Sequence, residues 1–176
     1  MKNNKLILFF LVVGMFLFTG CPKPVKEMMI TTGTVSDISL TSANVSGTIS
    51  DIGEGVIQHG HCWSTTANPT VDVTTKTELG TASIGDFMSN LIGLTPNTKY
   101  FVRAYCSRGS DIACGNEISF ATLAELTTTA ITNITATTAL SGGTIAAGGG
   151  AIITSRGVCW NTSPNPTTAN NTAPSG

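Results

Sequence analysis

The chain contains a long internal repeat. Residues 60–70, which include Cys62-Trp63, recur almost unchanged as residues 157–167, at an offset of 97 residues. The match extends upstream, where residues 38–49 align with residues 134–145 at an offset of 96 residues. A self-match at this distance predicts tandem copies of a domain of about a hundred residues. The first copy continues well past its Asn-Pro-Thr motif and the second stops soon after it, so we expect one whole domain and the front half of another.

The N-terminus has the pattern of an export signal. Lys2 and Lys5 precede an apolar run, residues 6–18, which is too short to span a bilayer and has the length of a signal-peptide core. The run ends in Leu-Phe-Thr-Gly-Cys, residues 17–21, which resembles the lipobox of bacterial lipoproteins. In that family the chain is cleaved just before the cysteine, which is then acylated.

The lipobox resemblance implies a signal peptide over residues 1–20 and lipidation of Cys21. Membrane lipid is then a partner, and the exported protein is anchored to a bacterial membrane, at the outer membrane or the cell surface. Residues 21–30 contain two prolines and are predicted to form a short tether. An ordinary secretory signal with a coincidental cysteine is the alternative.

The composition beyond the signal favours an all-β domain. Loss of Lys2 and Lys5 makes the formal net charge of −1 more negative by two. The remaining chain is rich in Thr, Ser, Gly and Asn and lacks the basic stripe that nucleic-acid binding needs, so we expect no nucleic acid among its partners. Threonine suits a pleated, half-buried surface.

Short apolar or Thr-rich runs alternate with turn residues along the first copy. No window of adequate length outside the signal shows a helical period. Strands at this spacing predict a β-sandwich. The predicted strands cover residues 42–49, 56–63, 87–91, 99–106 and 114–122.

The most specific local motif begins at residue 94. Leu94, Pro96 and Tyr100 form the pattern Leu-x-Pro-x-Thr-x-Tyr, which resembles the structural tyrosine corner of fibronectin type III domains. Together with the Cys-Trp and Asn-Pro-Thr elements, it makes the chain similar to the type III-like repeat of bacterial surface lipoproteins. The resemblance implies an all-β, immunoglobulin-like or fibronectin type III-like β-sandwich. The expected division is a complete domain over residues 31–122, a linker over residues 123–126 and a truncated second repeat over residues 127–176.

Alternation along the strand that follows the corner divides its side chains between two faces. If Tyr100 faces the core, the residues at odd spacing from it face outward: Phe101, Arg103 and Tyr105. These three are the candidate binding face, because sugar binding usually needs an exposed aromatic platform flanked by polar groups. The alternative is that they cover the sheet or contact the neighbouring repeat.

Alternation also places the cysteines. Cys106 should face the core with Tyr100, and counting along the last strand puts Cys114 on the same side. Disulfides form in exported proteins, so we predict that Cys106 and Cys114 are bonded or close enough to bond. Two free buried thiols are the alternative. The cysteine beside each tryptophan, Cys62 or Cys159, is predicted to be a small buried hydrophobe.

Two further motifs have simple interpretations. His59 and His61 project from one strand face, but a metal site needs three or four converging ligands, and the second copy has Arg156 and Val158 in their places. We interpret the histidines as exposed or half-buried strand residues and predict no metal. The Arg-Gly-Ser-Asp of residues 108–111 departs by one inserted serine from the attachment tripeptide of animal type III domains, and is interpreted as a polar turn.

No catalytic arrangement is recognisable in the sequence. The two histidines have no evident acid partner, the carboxylates are scattered, and no phosphate-binding loop follows a strand. We therefore predict a non-enzyme without cofactors: a membrane-anchored spacer or adhesion module, with protein or polysaccharide partners at the cell surface. The alternatives are a glycan-binding lipoprotein and the stalk of an enzyme encoded downstream.

The front half of a sandwich leaves strand edges unpaired and one apolar face open. We therefore predict weaker hydrogen-exchange protection over residues 126–176 than over residues 31–122.

Overall fold

The computed structural model describes residues 26–73, 75–146, 150 and 152–175. The predicted signal peptide, Cys21 and the first part of the tether lie outside these residues. All regular secondary structure within them is β-strand. In this part of the chain no helix is long and apolar enough to cross a membrane.

The first copy folds as a sandwich of two antiparallel sheets. One sheet contains β1 (Met28–Ser36), β2 (Ser42–Ile52) and β4 (Gly85–Ile92), in that order. The other is built around β5 (Lys99–Arg108), with β3 (Gln58–Ser64) on one side and β6 (Asp111–Cys114) followed by β7 (Ile118–Ala121) on the other. The predicted all-β, fibronectin type III-like fold is confirmed. β1 begins inside the predicted tether, and the last predicted strand is divided into β6 and β7.

An extended segment, residues 75–79, runs along the free edge of β3. The backbone N–H of Thr77 donates to the carbonyl of His61 at 2.8 Å, and that of Leu79 donates to the carbonyl of His59 at 2.9 Å. This edge segment widens the second sheet and brings its side chains close to those of β4.

The core lies between the sheets in two adjoining clusters. Alternation along β2 buries Ala43, Val45 and Ile49, while most of the intervening small polar residues face outward. One cluster surrounds Trp63 and the other surrounds Ile49. The Trp63 cluster contains Ala43, Val45, Leu91, Leu94, Tyr100, Val102 and Phe120, and the Ile49 cluster contains Ile30, Val56, Ala104 and Cys106.

The connection before β5 is closed by the hydroxyl of Tyr100. The backbone N–H of Thr95 donates to Tyr100 Oη at 3.0 Å, and the Tyr100 ring stacks on Phe120 with centroids 5.8 Å apart. Asn97 has a φ of 47°, a left-handed conformation that asparagine tolerates better than most residues. The geometry is that of a tyrosine corner.

The two sheets are joined where β6 passes into β7. Tyr105 lies opposite Cys114, but Val102 lies opposite Ile118, so residues 115–117 contain one residue more than the facing strand. At this bulge the N–H of Ala104 donates to Thr32 Oγ1 at 2.8 Å, and that hydroxyl donates to the Asn116 carbonyl at 2.6 Å. Thr32 thus connects β1 to the opposite sheet.

The second copy forms two separate hairpins. β8 (Leu126–Thr128) pairs with β9 (Gly143–Ile145), and β10 (Gly157–Trp160) pairs with β11 (Asn171–Pro174). Most of their side chains are exposed.

Candidate functional site

The structure does not present Tyr105 as part of an exposed face. Only 2 % of its surface is accessible, and its hydroxyl donates to the Thr77 carbonyl at 2.7 Å. The strand position opposite Tyr105 is Gly60, where an added Cβ would lie 2.2 Å from that same carbonyl oxygen. Glycine at position 60 therefore allows the edge segment to approach β3 closely, and this segment accepts the Tyr105 hydroxyl. Burial raises the pKa of Tyr105 to about 12, with Glu78 adding to the rise. Tyr105 does lie on the outer face of its sheet, opposite Gly60 and Cys114, but the prediction that it is exposed there is wrong.

The remaining residues of the predicted binding face are half-buried and engaged. Arg103 Nε donates to the Gly115 carbonyl at 2.9 Å, and Lys99 Nζ lies 5.0 Å from the centroid of the Phe101 ring. The loop after β3 also reaches this face, where the N–H of Asn68 donates to the Glu117 carboxylate. The face therefore offers one partly covered aromatic ring rather than a platform.

Cys106 and Cys114 are free thiols on opposite faces of the sheet. Cys106 lies opposite Ala113 and faces the core, whereas Cys114 lies opposite Tyr105. The extra residue in 115–117 reverses the alternation that counting along an unbroken strand assumes, so the prediction that the two share a side is wrong. Burial raises the pKa of Cys106 to about 11, which keeps this thiol protonated and unreactive at neutral pH.

Cys62, beside Trp63, is fully buried, with its Sγ 3.7 Å from the Pro69 carbonyl. Burial raises its pKa to about 11, so this cysteine behaves as the small hydrophobe that the sequence predicts. Cys159 is only half-buried. The Arg-Gly-Ser-Asp segment forms the β5–β6 turn, where Arg108 Nη2 lies 3.0 Å from Asp111 Oδ2 and Gly109 has a φ of 62°.

The two histidines face the core, contrary to the expectation of exposed or half-buried positions. His59 is 7 % and His61 0 % exposed, and both contact the ring of Phe87, with centroids 4.8 and 5.0 Å away. They share the side of Trp63 on β3. The His61 ring finds both of its partners on the opposite sheet, and the His59 ring is bonded to the Gly80 carbonyl just after the edge segment. These bonds explain how a polar pair is accommodated in the core.

Every polar atom of the His61 ring is satisfied. Nε2 lies 3.1 Å from the Ser46 carbonyl and therefore donates to it, so that Nδ1 accepts from the Ser89 hydroxyl at 2.8 Å. Thr77 Oγ1 continues the chain to Ser89 at 2.8 Å and accepts the His61 N–H at 2.9 Å. Burial lowers the pKa of His61 to about 4. The Ser89–His61 contact resembles half of a catalytic triad, but it is sealed from solvent, and its chemistry here is structural.

His59 differs from His61 because, among the described residues, only one of its ring nitrogens has a hydrogen-bond partner. Nδ1 lies 2.8 Å from the Gly80 carbonyl. His59 lines an open recess of about 210 Å³ between β3 and β4, together with Phe87 and Asp86. Asp86 Oδ1 accepts a hydrogen bond from the Thr48 hydroxyl at 2.7 Å. Within the described residues, no three His, Cys, Asp or Glu side chains converge as a metal site.

No protein-family model matches the sequence, and no curated protein matches it either. Among solved structures, the sensor domain of the anti-sigma factor RsgI4 from Pseudobacteroides cellulosolvens is 19% identical, and the match covers 55% of this chain and 94% of that chain with a TM-score of 0.41. A human fibronectin type III domain, from the KIAA0970 protein, is 16% identical over 53% of this chain and 72% of that chain, with a TM-score of 0.37. A redesigned β-sandwich protein is 24% identical, covers 51% of this chain and 88% of its own, and has a TM-score of 0.36. These similarities concern the β-sandwich fold alone.

Sequence reasoning identified His59 but not the recess. In the sequence Asp86 is one of several scattered carboxylates. Nothing local links it to His59, because the two residues line the same recess only through the packing of one sheet on the other. A local signal did exist in Gly80 and Gly85, whose φ angles of 81° and 138° shape the loop around the recess in conformations that glycine adopts readily.

Proposed function

We propose that the chain is a membrane-anchored, non-catalytic spacer or interaction module of a bacterial surface. Acyl chains on Cys21 would hold it on a membrane, since each buried methylene contributes about 0.8 kcal/mol. The type III-like repeats then separate the membrane from whatever the last repeat carries or binds. A spacer needs stiff joints, and the joint between the two copies is the observation that carries this proposal.

The connection between the copies has little unconstrained chain. β7 ends at Ala121 and β8 begins at Leu126. Between them, the N–H of Leu123 donates to the Ser39 carbonyl at 3.0 Å, and the carbonyl of Glu125 accepts from the Ala146 N–H at 2.9 Å. The first bond ties the linker to the first copy and the second ties it to the second copy, so one residue separates the two attachments.

The two copies also touch at the tyrosine corner. The side chain of Asn97 donates from Nδ2 to the Ala146 carbonyl at 3.3 Å, and its backbone N–H donates to the Leu123 carbonyl at 2.8 Å. A Cβ built on Gly150 would lie 2.5 Å from the carbonyl carbon of Asn97, so only a glycine allows this approach. Domains joined in one chain move relative to each other unless a contact prevents it, and this contact restricts such motion.

Nuclear magnetic relaxation of the ¹⁵N-labelled chain tests the stiffness of the joint. Amides of β5 and of β9 should report one common tumbling time, and insertion of Gly-Ser-Gly-Ser after Ala124 should separate the two values. The same insertion within the exposed β5–β6 turn is the control and should leave them equal. Different tumbling times in the unmodified chain would contradict a stiff spacer.

Metabolic labelling with a fatty-acid analogue in a bacterial host tests the anchor. The unmodified chain should take up label and sediment with membranes, Cys21→Ser should lose both properties, and Cys159→Ser should keep both. Label that persists in Cys21→Ser would show that the anchor is placed wrongly.

A further inference from the structure

We propose that the chain associates with a second molecule of itself through the free edge of β4, which pairs with β4 of that molecule in antiparallel orientation. The proposal concerns the sheet edges of the first repeat and does not depend on the spacer role. A sheet edge presents unpaired backbone N–H and C=O groups, and proteins usually protect such edges from pairing with other chains. Three edges of the first repeat are protected in this way, and the edge of β4 is not.

Each of the three protected edges has a recognisable device. The register of β1 shifts twice, between Met29 and Ile30 and between Thr32 and Val35, and the Thr32 N–H donates to Asn116 Oδ1 at 3.0 Å. The edge segment covers β3. β6 and β7 have only 4 residues each and are separated by the bulge. Bulges, short strands and covering segments all discourage pairing with another chain.

β4 has none of these devices. Its 8 residues pair with β2 in one continuous register that begins at Gly85 and ends at Ile92, and they include no proline, lysine or arginine. Among the described residues, β2 is the only strand beside β4 in its sheet. The edge segment lies beneath β4 rather than next to it, since Thr77 Oγ1 lies 2.8 Å from the hydroxyl of the inward-facing Ser89. The backbone of β4 is therefore open to a further strand.

The side chains beside this edge are partly apolar. Met88 is 59 % and Ile92 69 % exposed, and Ile84, directly before β4, is 61 % exposed. Met88 and Ile92 alternate with Asp86 and Asn90 on the outer face of the strand. Exposed apolar side chains on a long, unprotected edge strand mark a site of pairing with another chain.

The order of these side chains matches that of a second β4 running in the opposite direction. In the antiparallel register that places Met88 opposite Met88 of the second molecule, Asp86 lies opposite Asn90 twice, once on each side of the two-fold axis. The ends of the two strands then bring Ile92 close to Ile84. Apolar side chains meet apolar ones, and the single charged side chain meets an amide instead of a carboxylate, whose like charge would be destabilising. A second molecule of this chain is therefore the partner that fits.

Both members of the polar pair have a hydrogen-bonding group to spare. Asp86 accepts the Thr48 hydroxyl on Oδ1 at 2.7 Å, which leaves Oδ2 as an acceptor for the second molecule. Asn90 Nδ2 donates one hydrogen to Asn44 Oδ1 at 2.7 Å, and the amide has a second hydrogen to donate. The bonds to β2 also hold both side chains in place before a second molecule arrives.

Photocrosslinking of the full chain in detergent tests the pairing. With p-benzoylphenylalanine in place of Met88, light should link two chains into a dimer. In a mixture of ¹⁴N- and ¹⁵N-labelled chains, the linked peptides should join residues 84–92 of one isotope to residues 84–92 of the other. The same photoreactive residue in place of Ile112, which is also exposed but lies on the short β6, is the control and should link no chains.

Charge variants test the register. Asn90→Asp places a carboxylate opposite Asp86 of the second molecule at two positions, and should weaken dimerisation about tenfold in sedimentation equilibrium in density-matched detergent. The double variant Asp86→Asn with Asn90→Asp exchanges the two groups and should restore most of the lost affinity. Asn161→Asp adds the same charge to an exposed position far along the chain and should leave the affinity unchanged.

Circular dichroism melting of each variant separates loss of pairing from loss of fold. Four outcomes would overturn the proposal: a chain that stays monomeric, crosslinks from position 88 to a host protein instead of this chain, crosslinks to a part of the second molecule outside residues 84–92, or a double variant that dimerises no better than Asn90→Asp.

Discussion

The two copies of the repeat form the same first hairpin but bury their side chains very differently. In the first copy Ile30 lies opposite Ile49 and Thr32 opposite Gly47; in the second Leu126 lies opposite Ile145 and Thr128 opposite Gly143, in the same register. The left-handed positions also recur, with φ of 49° at Asp37 and 51° at Asn133, and 59° at Asn68 and 57° at Asn165. Local sequence is therefore sufficient to form these hairpins and turns.

Burial does not recur with the backbone. Trp63 is 7 % exposed and Trp160 51 %, and Ile30 is 8 % exposed where Leu126 is 69 %. The core cluster that contains Trp63 also contains Tyr100, Val102 and Phe120, all from the second half of the repeat. The comparison shows that the hairpins are local structures. The stability of the sandwich comes from the packing of these hairpins against strands from the second half of the repeat.

The largest expected difference between the copies is at tryptophan. Trp63→Ala should destabilise the chain by about 3–5 kcal/mol, because it leaves a cavity in the core. Trp160→Ala should change the free energy of unfolding by less than about 0.5 kcal/mol, as is usual for exposed positions. Urea unfolding followed by circular dichroism measures both. Similar losses in the two variants would mean that the second copy is as well packed as the first.

The next difference depends on pH. The second copy has Val158 at the position of His61. Because the folded pKa of His61 is about 4 and its usual value is 6.5, the unfolded chain binds the proton first as pH falls. His61 should therefore cost the folded state about 3 kcal/mol in total as pH falls from 6.5 to 4, and nothing further below that window.

Urea unfolding at a series of pH values isolates this contribution. His61→Val should remove that part of the pH dependence, while the control Val158→His should leave the pH dependence of the first copy unchanged. Parallel pH profiles for the unmodified chain and His61→Val would show that His61 is hydrated in the folded protein.

A smaller difference is expected at the threonine that joins the sheets. Thr32→Val removes the acceptor of the buried Ala104 N–H and should cost about 2 kcal/mol, whereas Thr32→Ser should retain most of the stability. Thr128→Val, at the same position of the second copy, should cost less than about 0.5 kcal/mol. Thermal melting of the three variants makes the comparison. An equal effect at Thr32 and Thr128 would count against the role of the bulge.

Much of the fold was predictable because it follows from local periodicity. The alternation along β2 and the motif around Tyr100 both report a strand with one buried face, and the predicted sandwich contains both. The side of Phe120 was also predictable, since no irregularity separates it from the end of the domain.

The errors concern residues whose surroundings come from distant parts of the chain. One additional residue in 115–117 reverses the side of Cys114, and no local signal revealed it. Tyr105 is buried beside the edge segment, which closely approaches Gly60 on another strand and accepts the tyrosine hydroxyl at the Thr77 carbonyl. The histidines were expected nearer the surface because their partners, Ser89 among them, lie on strands that only tertiary packing brings close.

The smallest expected effect is at the cysteines. Reductant, Cys114→Ser and Cys159→Ser should each change the free energy of unfolding by less than about 0.5 kcal/mol, whereas a native disulfide would contribute about 2–4 kcal/mol. Non-reducing peptide mapping should find no bond between Cys106 and Cys114. If the register that pairs Val102 with Ile118 continued without the extra residue, Cys106 would lie directly opposite Cys114. A bonded, stabilised pair would therefore show that β6 lies one residue away from the register described, with the bulge moved into the β5–β6 turn.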